Sequence, residues 1–153
     1  SGSCSGVTRR SLGIARTDDL SICDDYDKDK GNFWVKDPEP ILPPAEDIEN
    51  SSLYYEERTG RYWLFTNHIY QNSYTDAVWA YWTTDIDRWS QEDKAIVIDR
   101  NVSTWAKGAI GMPAVCPTDH GTLALLYDGV NGTGTGHLDR HIGLAEISLP
   151  LSF

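Results

Sequence analysis

Strand-like runs recur along this chain in a fixed order and at a nearly fixed interval, while helical periodicity is almost absent. Ser11–Leu20 reads S-L-G-I-A-R-T-D-D-L, Val78–Trp89 reads V-W-A-Y-W-T-T-D-I-D-R-W, and Ile142–Leu149 reads I-G-L-A-E-I-S-L. Leu12 and Val78 stand 66 residues apart, and Val78 and Ile142 stand 64 apart. A second pattern pairs Ser51–His68 with Met112–Gly129. A unit of this size made only of strands cannot bury its faces alone and has to stack on its neighbours, as a β-propeller blade does. The expected fold is all-β: a propeller segment holding about two to two and a half four-stranded antiparallel blades over residues 11–153, behind a poorly defined segment 1–10.

The complete middle unit divides into strand A at Ser52–Glu56, B at Tyr62–Thr66, C at Ala77–Thr83 and D at Ala95–Ile98. The next unit supplies A at Ala114–Cys116, B at Leu123–Tyr127 and C at His141–Glu146. Ahead of them, Ser11–Ala15 gives a C strand and Pro40–Leu42 a short D. The A–B turns, E-R-T-G and P-T-D-H-G, are tight, with Gly60 and Gly121 free to take positive φ. Antiparallel alternation sends the other connections to the opposite rim: 37–49, 67–76, 99–111 and 128–140. Long polar loops on one rim of a rigid scaffold are where ligand chemistry is expected.

A formal net charge of −10 argues against nucleic acid or an anionic membrane as partner. No apolar run approaches the ~20 residues needed to cross a bilayer as a helix. Ser1–Gly6 lacks the charged-then-apolar pattern of a signal peptide, and a start without Met suggests a processed or incomplete chain. Cys4, Cys23 and Cys116 form no C-x-x-C pair, so neither a disulfide framework nor a zinc site is expected, and Cys116 reads as a reduced thiol in a strand. Sequons at Asn50, Asn101 and Asn131 are permissive patterns that need not be used.

The strings R-S-L-G-I-A-R-T-D-D-L, I-E-N-S-S-L-Y-Y, Y-W-L-F-T-N-H-I, T-D-A-V-W-A-Y-W-T-T-D and D-R-H-I-G-L-A-E-I-S-L-P-L, in this order, resemble the five-bladed propeller glycosidases around glycoside hydrolase families 43, 62, 32 and 117. The likeness runs from about Arg9 to Leu151, the C-terminal half of such a propeller. It implies carbohydrate as the partner and hydrolysis of O-glycosidic bonds by carboxylates at the mouth of the central channel. It implies no cofactor beyond a structural calcium ion. The general acid of the resembled enzymes is a Glu at the start of an innermost strand, the position of Glu49 here. This chain has Asn50-Ser51 where many members have Gly-Pro, and the first-blade Asp that serves as base has no counterpart in it. Activity would therefore draw its base from outside the chain. The alternative is a non-catalytic carbohydrate-binding or assembly module derived from such an enzyme.

Hydrolysis needs one protonated and one ionised carboxyl group. Burial against Tyr54 and Tyr55 would raise the pKa of Glu49 and suit it to the acid role; otherwise it is a solvated loop glutamate like Glu46. Asp76, ending the B–C loop, and Asp128, following strand B of the last unit, are the further catalytic candidates, and turn hydrogen bonding is the plainer explanation of both. Asn67, His68, Trp105, His137 and Arg140 are the candidate substrate-binding residues. The histidines lack metal-ligand spacing and suit a hydroxyl or a loop backbone better. The Trp105 indole offers either a stacking platform for a pyranose or core filling, and Arg140 either a sugar contact or a surface salt bridge. Trp79, Trp82 and Trp89 belong to packing between blades, and Asp85 and Asp87 to the opposite turn face. A run of blades with two open flanks predicts a homodimer through those flanks, or pairing with a missing N-terminal half.

Overall fold

A computed structural model describes residues 9–18, 34–70, 74–136 and 138–153. Among them are ten strands: β1 (Ala15–Arg16), β2 (Val35–Lys36), β3 (Ile48–Glu56), β4 (Arg61–Tyr70), β5 (Tyr74–Thr75), β6 (Ala77–Thr83), β7 (Lys94–Asp99), β8 (Ile110–Pro117), β9 (Thr122–Val130) and β10 (Arg140–Ser148). All the ladders between them are antiparallel and form three sheets: β1-β2, the complete blade β3-β4-β6-β7, and a last blade β8-β9-β10. These are the expected blades, with the expected number of strands in the second and third.

Three details differ from the sequence reading. The D strand of the first unit pairs at Val35–Lys36, ahead of Pro40–Leu42. Pro38 and Pro40 lack the N–H a ladder needs, so the contact continues past β2 only through Asp37 N–H to Ile14 O (3.0 Å) and Ile41 N–H to Leu12 O (2.9 Å). The B–C connection of the middle blade is no plain loop: β4 continues to Tyr70, and β5 folds back on it, with Ile69 opposite Thr75. The two A–B units also align with a one-residue offset. Glu56 faces Arg61 around a four-residue turn, whereas Thr118 N–H already bonds Thr122 O around a three-residue one. Asn50, not Ser51, is thus the counterpart of Met112.

Packing follows the period-2 alternation of the strands. One face of the middle blade (Trp63, Phe65, Val78, Ala80 and Ile98) meets Ile110, Leu123, Leu125 and Tyr127 of the last blade in the main core. Its other face sends Ile48, Leu64 and Tyr81, with Trp79 and Trp89, against Leu42, Leu12 and Ile41 of the first unit. Each fully buried side chain of this size contributes about 1.5–3 kcal/mol. Val78 is completely buried in the main core between the middle and last blades. The last residues turn back under the middle blade, where Leu151 is buried and Phe153 lies 5.7 Å from the Trp63 ring.

Candidate functional site at the loop-rich rim

The innermost strands β3 and β8 carry the same irregularity near the rim. The register slips between Glu49 and Ser52 and again between Gly111 and Ala114. Each slip is a bulge centred on a left-handed residue, Asn50 (φ 55) and Met112 (φ 49), a conformation that costs a non-glycine residue about 1–2 kcal/mol. Asn67 of β4 joins the two. Its Oδ1 accepts from Met112 N–H (2.9 Å) and Asn50 Nδ2 (3.4 Å), while the Thr66 hydroxyl donates to Glu49 O (2.9 Å). Gly111 is obligatory here, because a Cβ would stand 2.9 Å from Thr75 and 3.0 Å from Asn67 Oδ1.

Register places Glu49 opposite Asn67, Gly111 opposite Asp128, and Arg140 opposite Val130. Asp76 immediately precedes β6. Glu49, Asn67, His68, Asp76, Asp128 and Arg140 therefore share the rim end of their strands, and the turns holding Glu57, Asp87 and Asp119 share the other end. His137 lies outside the described residues, as do Cys4 and Cys23. Cys116 is a free, exposed thiol in β8.

The surroundings of these residues depart from expectation. Glu49 is one-third exposed and paired with Arg10 (Oε1 to Nε, 3.1 Å), from the segment that the sequence left undefined. Tyr54 and Tyr55 are five and six residues further along β3, about 16–20 Å away, so they supply no apolar pocket for it. Asp128 sits within β9 and not beyond it, gripped by Arg140 Nη1 at 2.7 Å to both carboxylate oxygens. Asp76 accepts from the Trp79 indole at 3.4 Å. Asn67 is 0% exposed, so it supports the bulges and does not reach a substrate directly. Trp105 packs on Tyr127 (5.9 Å, near-parallel) and edge-on to His141, filling space beside Gly129.

His68 belongs to a network that sequence reasoning missed. Its Nε2 lies 2.7 Å from Tyr81 Oη; Tyr81 donates to Glu46 Oε2, which also pairs with Lys94. Burial lowers the pKa of His68 against the pull of Asp76. Burial of Glu46 opposes its ionisation, yet the bonds from Lys94 and Tyr81 prevail and hold its pKa below the usual carboxylate value. Tyr81 is pushed far up by burial and by Glu46. Glu46, read as a solvated loop residue, is instead the anion that ties the first unit to the middle blade. Its signal was faint: a carboxylate two residues after Pro43-Pro44, in a short 3-10 turn (Pro44–Glu46) that turns it inward.

Among the described residues, no three His, Cys, Asp or Glu side chains cluster as a metal site. No family model matches the chain, and no curated protein does. Solved structures similar to it include two enzymes. One is an endo-1,4-β-xylanase from Bacteroides thetaiotaomicron, with TM-score 0.53, 18% identity, and 74% of this chain against 37% of that one covered. The other is a GH43_1 enzyme from Xanthomonas citri, with TM-score 0.49, 13% identity, and 65% of this chain against 28% of that one covered. The chain spans roughly a third of the length of these structures. At such identities the likeness concerns the fold alone, and that fold is a segment of an antiparallel β-propeller.

Proposed function

We propose that this chain forms the carbohydrate-facing part of a propeller that hydrolyses O-glycosidic bonds, with Glu49 as general acid and the base carboxylate supplied from outside these residues. The supporting observation is the position of Glu49. It stands at the rim end of an innermost strand, partly exposed, beside a bulge whose strained backbone is held by Asn67 and Thr66. Strain of this kind concentrates at functional sites. The first polymer to test is β-1,4-xylan, on which the similar Bacteroides protein acts by its name.

The Arg10–Glu49 ion pair favours a second reading. A carboxylate bound to a guanidinium is better suited to accept hydrogen bonds from sugar hydroxyls than to donate a proton, which fits a non-catalytic binding rim. Kinetics separate the two. If Glu49 is the acid, Glu49→Gln in the active assembly lowers the rate on xylan by a factor on the order of 10²–10⁴ and spares aryl glycosides with activated leaving groups. Equal, small losses on both substrates remove Glu49 from that role. Retardation in xylan-containing gels without any hydrolysis supports the binding rim, and absence of both retardation and hydrolysis overturns both readings.

A further inference from the structure

β10 pairs with β9 along its whole length and with no other strand among the described residues. In the complete blade the equivalent strand, β6, carries β7 on its outer edge, antiparallel, with Val78 opposite Ile98. Nothing described fills that position beside β10. The strand is nine residues long, contains no proline, and presents Ile142 at 79% and Leu144 at 63% exposure. A long apolar edge of this kind is a template for another strand.

The sequence of β10 identifies the strand that fits. Arg140, Ile142, Leu144 and Glu146 share one face by alternation, so this face reads basic, apolar, apolar, acidic along the chain. Residues directly opposite each other in an antiparallel pair point to the same face, and opposite charges or matched apolar side chains stabilise such pairs. Two copies of β10 running antiparallel about Gly143 put Ile142 of each opposite Leu144 of the other, and Arg140 opposite Glu146. A slip of two residues either way sets a charged residue against an apolar one.

We infer that the free edge of β10 is an interaction surface for a second copy of this chain, the two β10 strands pairing antiparallel about Gly143. The result is an isologous dimer with one continuous sheet, β8-β9-β10 from each copy, across a twofold axis. The inference does not depend on the proposed activity.

Light scattering on the purified chain over micromolar to sub-millimolar concentration is expected to give twice the mass of one chain. Leu144→Lys and Glu146→Arg, both on exposed positions, are expected to return it to single-chain mass with unchanged circular dichroism. Register is read by disulfide capture in a background in which Cys4, Cys23 and Cys116 are all replaced by Ser. An equimolar mixture of Ile142→Cys and Leu144→Cys chains cross-links at least several-fold faster than either alone, because only the mixture brings two thiols directly opposite. A single-chain mass at every concentration overturns the inference. So does a dimer that survives Leu144→Lys, or one in which Ile142→Cys alone cross-links as fast as the mixture. Fusion or mixing with a further strand that caps β10 without dimerisation identifies a different occupant and likewise overturns it.

Discussion

The Leu151 backbone N–H donates to Glu56 Oε1 at 2.9 Å, fastening the end of the chain to the turn end of β3 in the middle blade. Glu56 is only 2% exposed and also accepts from the Thr59 hydroxyl, so its carboxylate is committed to holding this corner. Glu56→Ala leaves a buried N–H without an acceptor and is expected to cost about 1–3 kcal/mol. Deleting residues 151–153 removes the same bond and the stacking of Phe153 on Trp82. The two changes are expected to be non-additive when combined, since they act on one contact. Urea unfolding followed by tryptophan fluorescence checks this, and fully additive losses would show that the tail and Glu56 act separately.

Two Arg–carboxylate pairs at the rim are expected to behave very differently. Arg140 and Asp128 are 9% and 14% exposed, so Arg140→Ala strands a nearly buried carboxylate and should cost about 3–5 kcal/mol. Arg10 and Glu49 are 48% and 33% exposed, and Arg10→Ala should cost under about 1 kcal/mol. Denaturation midpoints compared at equal m-value measure the contrast. Equal losses would refute the burial argument.

The repeat permits a matched pair of truncations. Phe65 and Leu126 occupy equivalent places in β4 and β9, yet Phe65 is 0% and Leu126 47% exposed. Phe65→Ala is expected to cost about 3–5 kcal/mol. Leu126→Ala, on the open face of the last blade, should cost under about 1 kcal/mol. Thermal melts of both variants decide it.

Acid should weaken the seam between the first unit and the middle blade in two stages. The folded pKa of His68 lies below its ordinary 6.5, so the unfolded chain takes up the proton first, and stability starts to fall as pH drops through 6.5. The folded pKa of Glu46 lies below its ordinary 4.5, so its contribution is complete above that value and is lost as pH falls towards the folded pKa. Glu46→Gln is expected to flatten the lower stage, and His68→Gln the upper one. Unfolding free energies measured from pH 8 to pH 3 test the signs, and a stability that rises on acidification over this range would contradict both.

The fold was legible wherever alternation and repeat length carried it. β6 matches its expected bounds of Ala77–Thr83, because V-W-A-Y-W-T alternates cleanly between two packing faces. What escaped was set by backbone detail. Pro38 and Pro40 displaced a pairing, and one residue fewer in the second A–B turn shifted a match. The site was legible as a rim but not as a set of partners. Arg10 reaches Glu49 across 39 positions, Glu46 reaches Lys94 across 48, and neither contact leaves a trace in local spacing. Asn67 looked like a loop amide suited to a hydroxyl; only the register of β3 and β8 shows that it is consumed by two bulges.

Those bulges loosen one constraint on the rim. A regular strand couples every residue to the next, so altering the side chain at the channel mouth would propagate into the face that packs between blades. A slip of one residue breaks that coupling. Upstream of it, the same position holds Glu49 in one blade and Gly111 in the other, while Ser52–Glu56 and Ala114–Pro117 keep their pairing. The residue at the rim therefore differs from blade to blade, as Glu49 and Gly111 do, while the pairing beneath it stays the same.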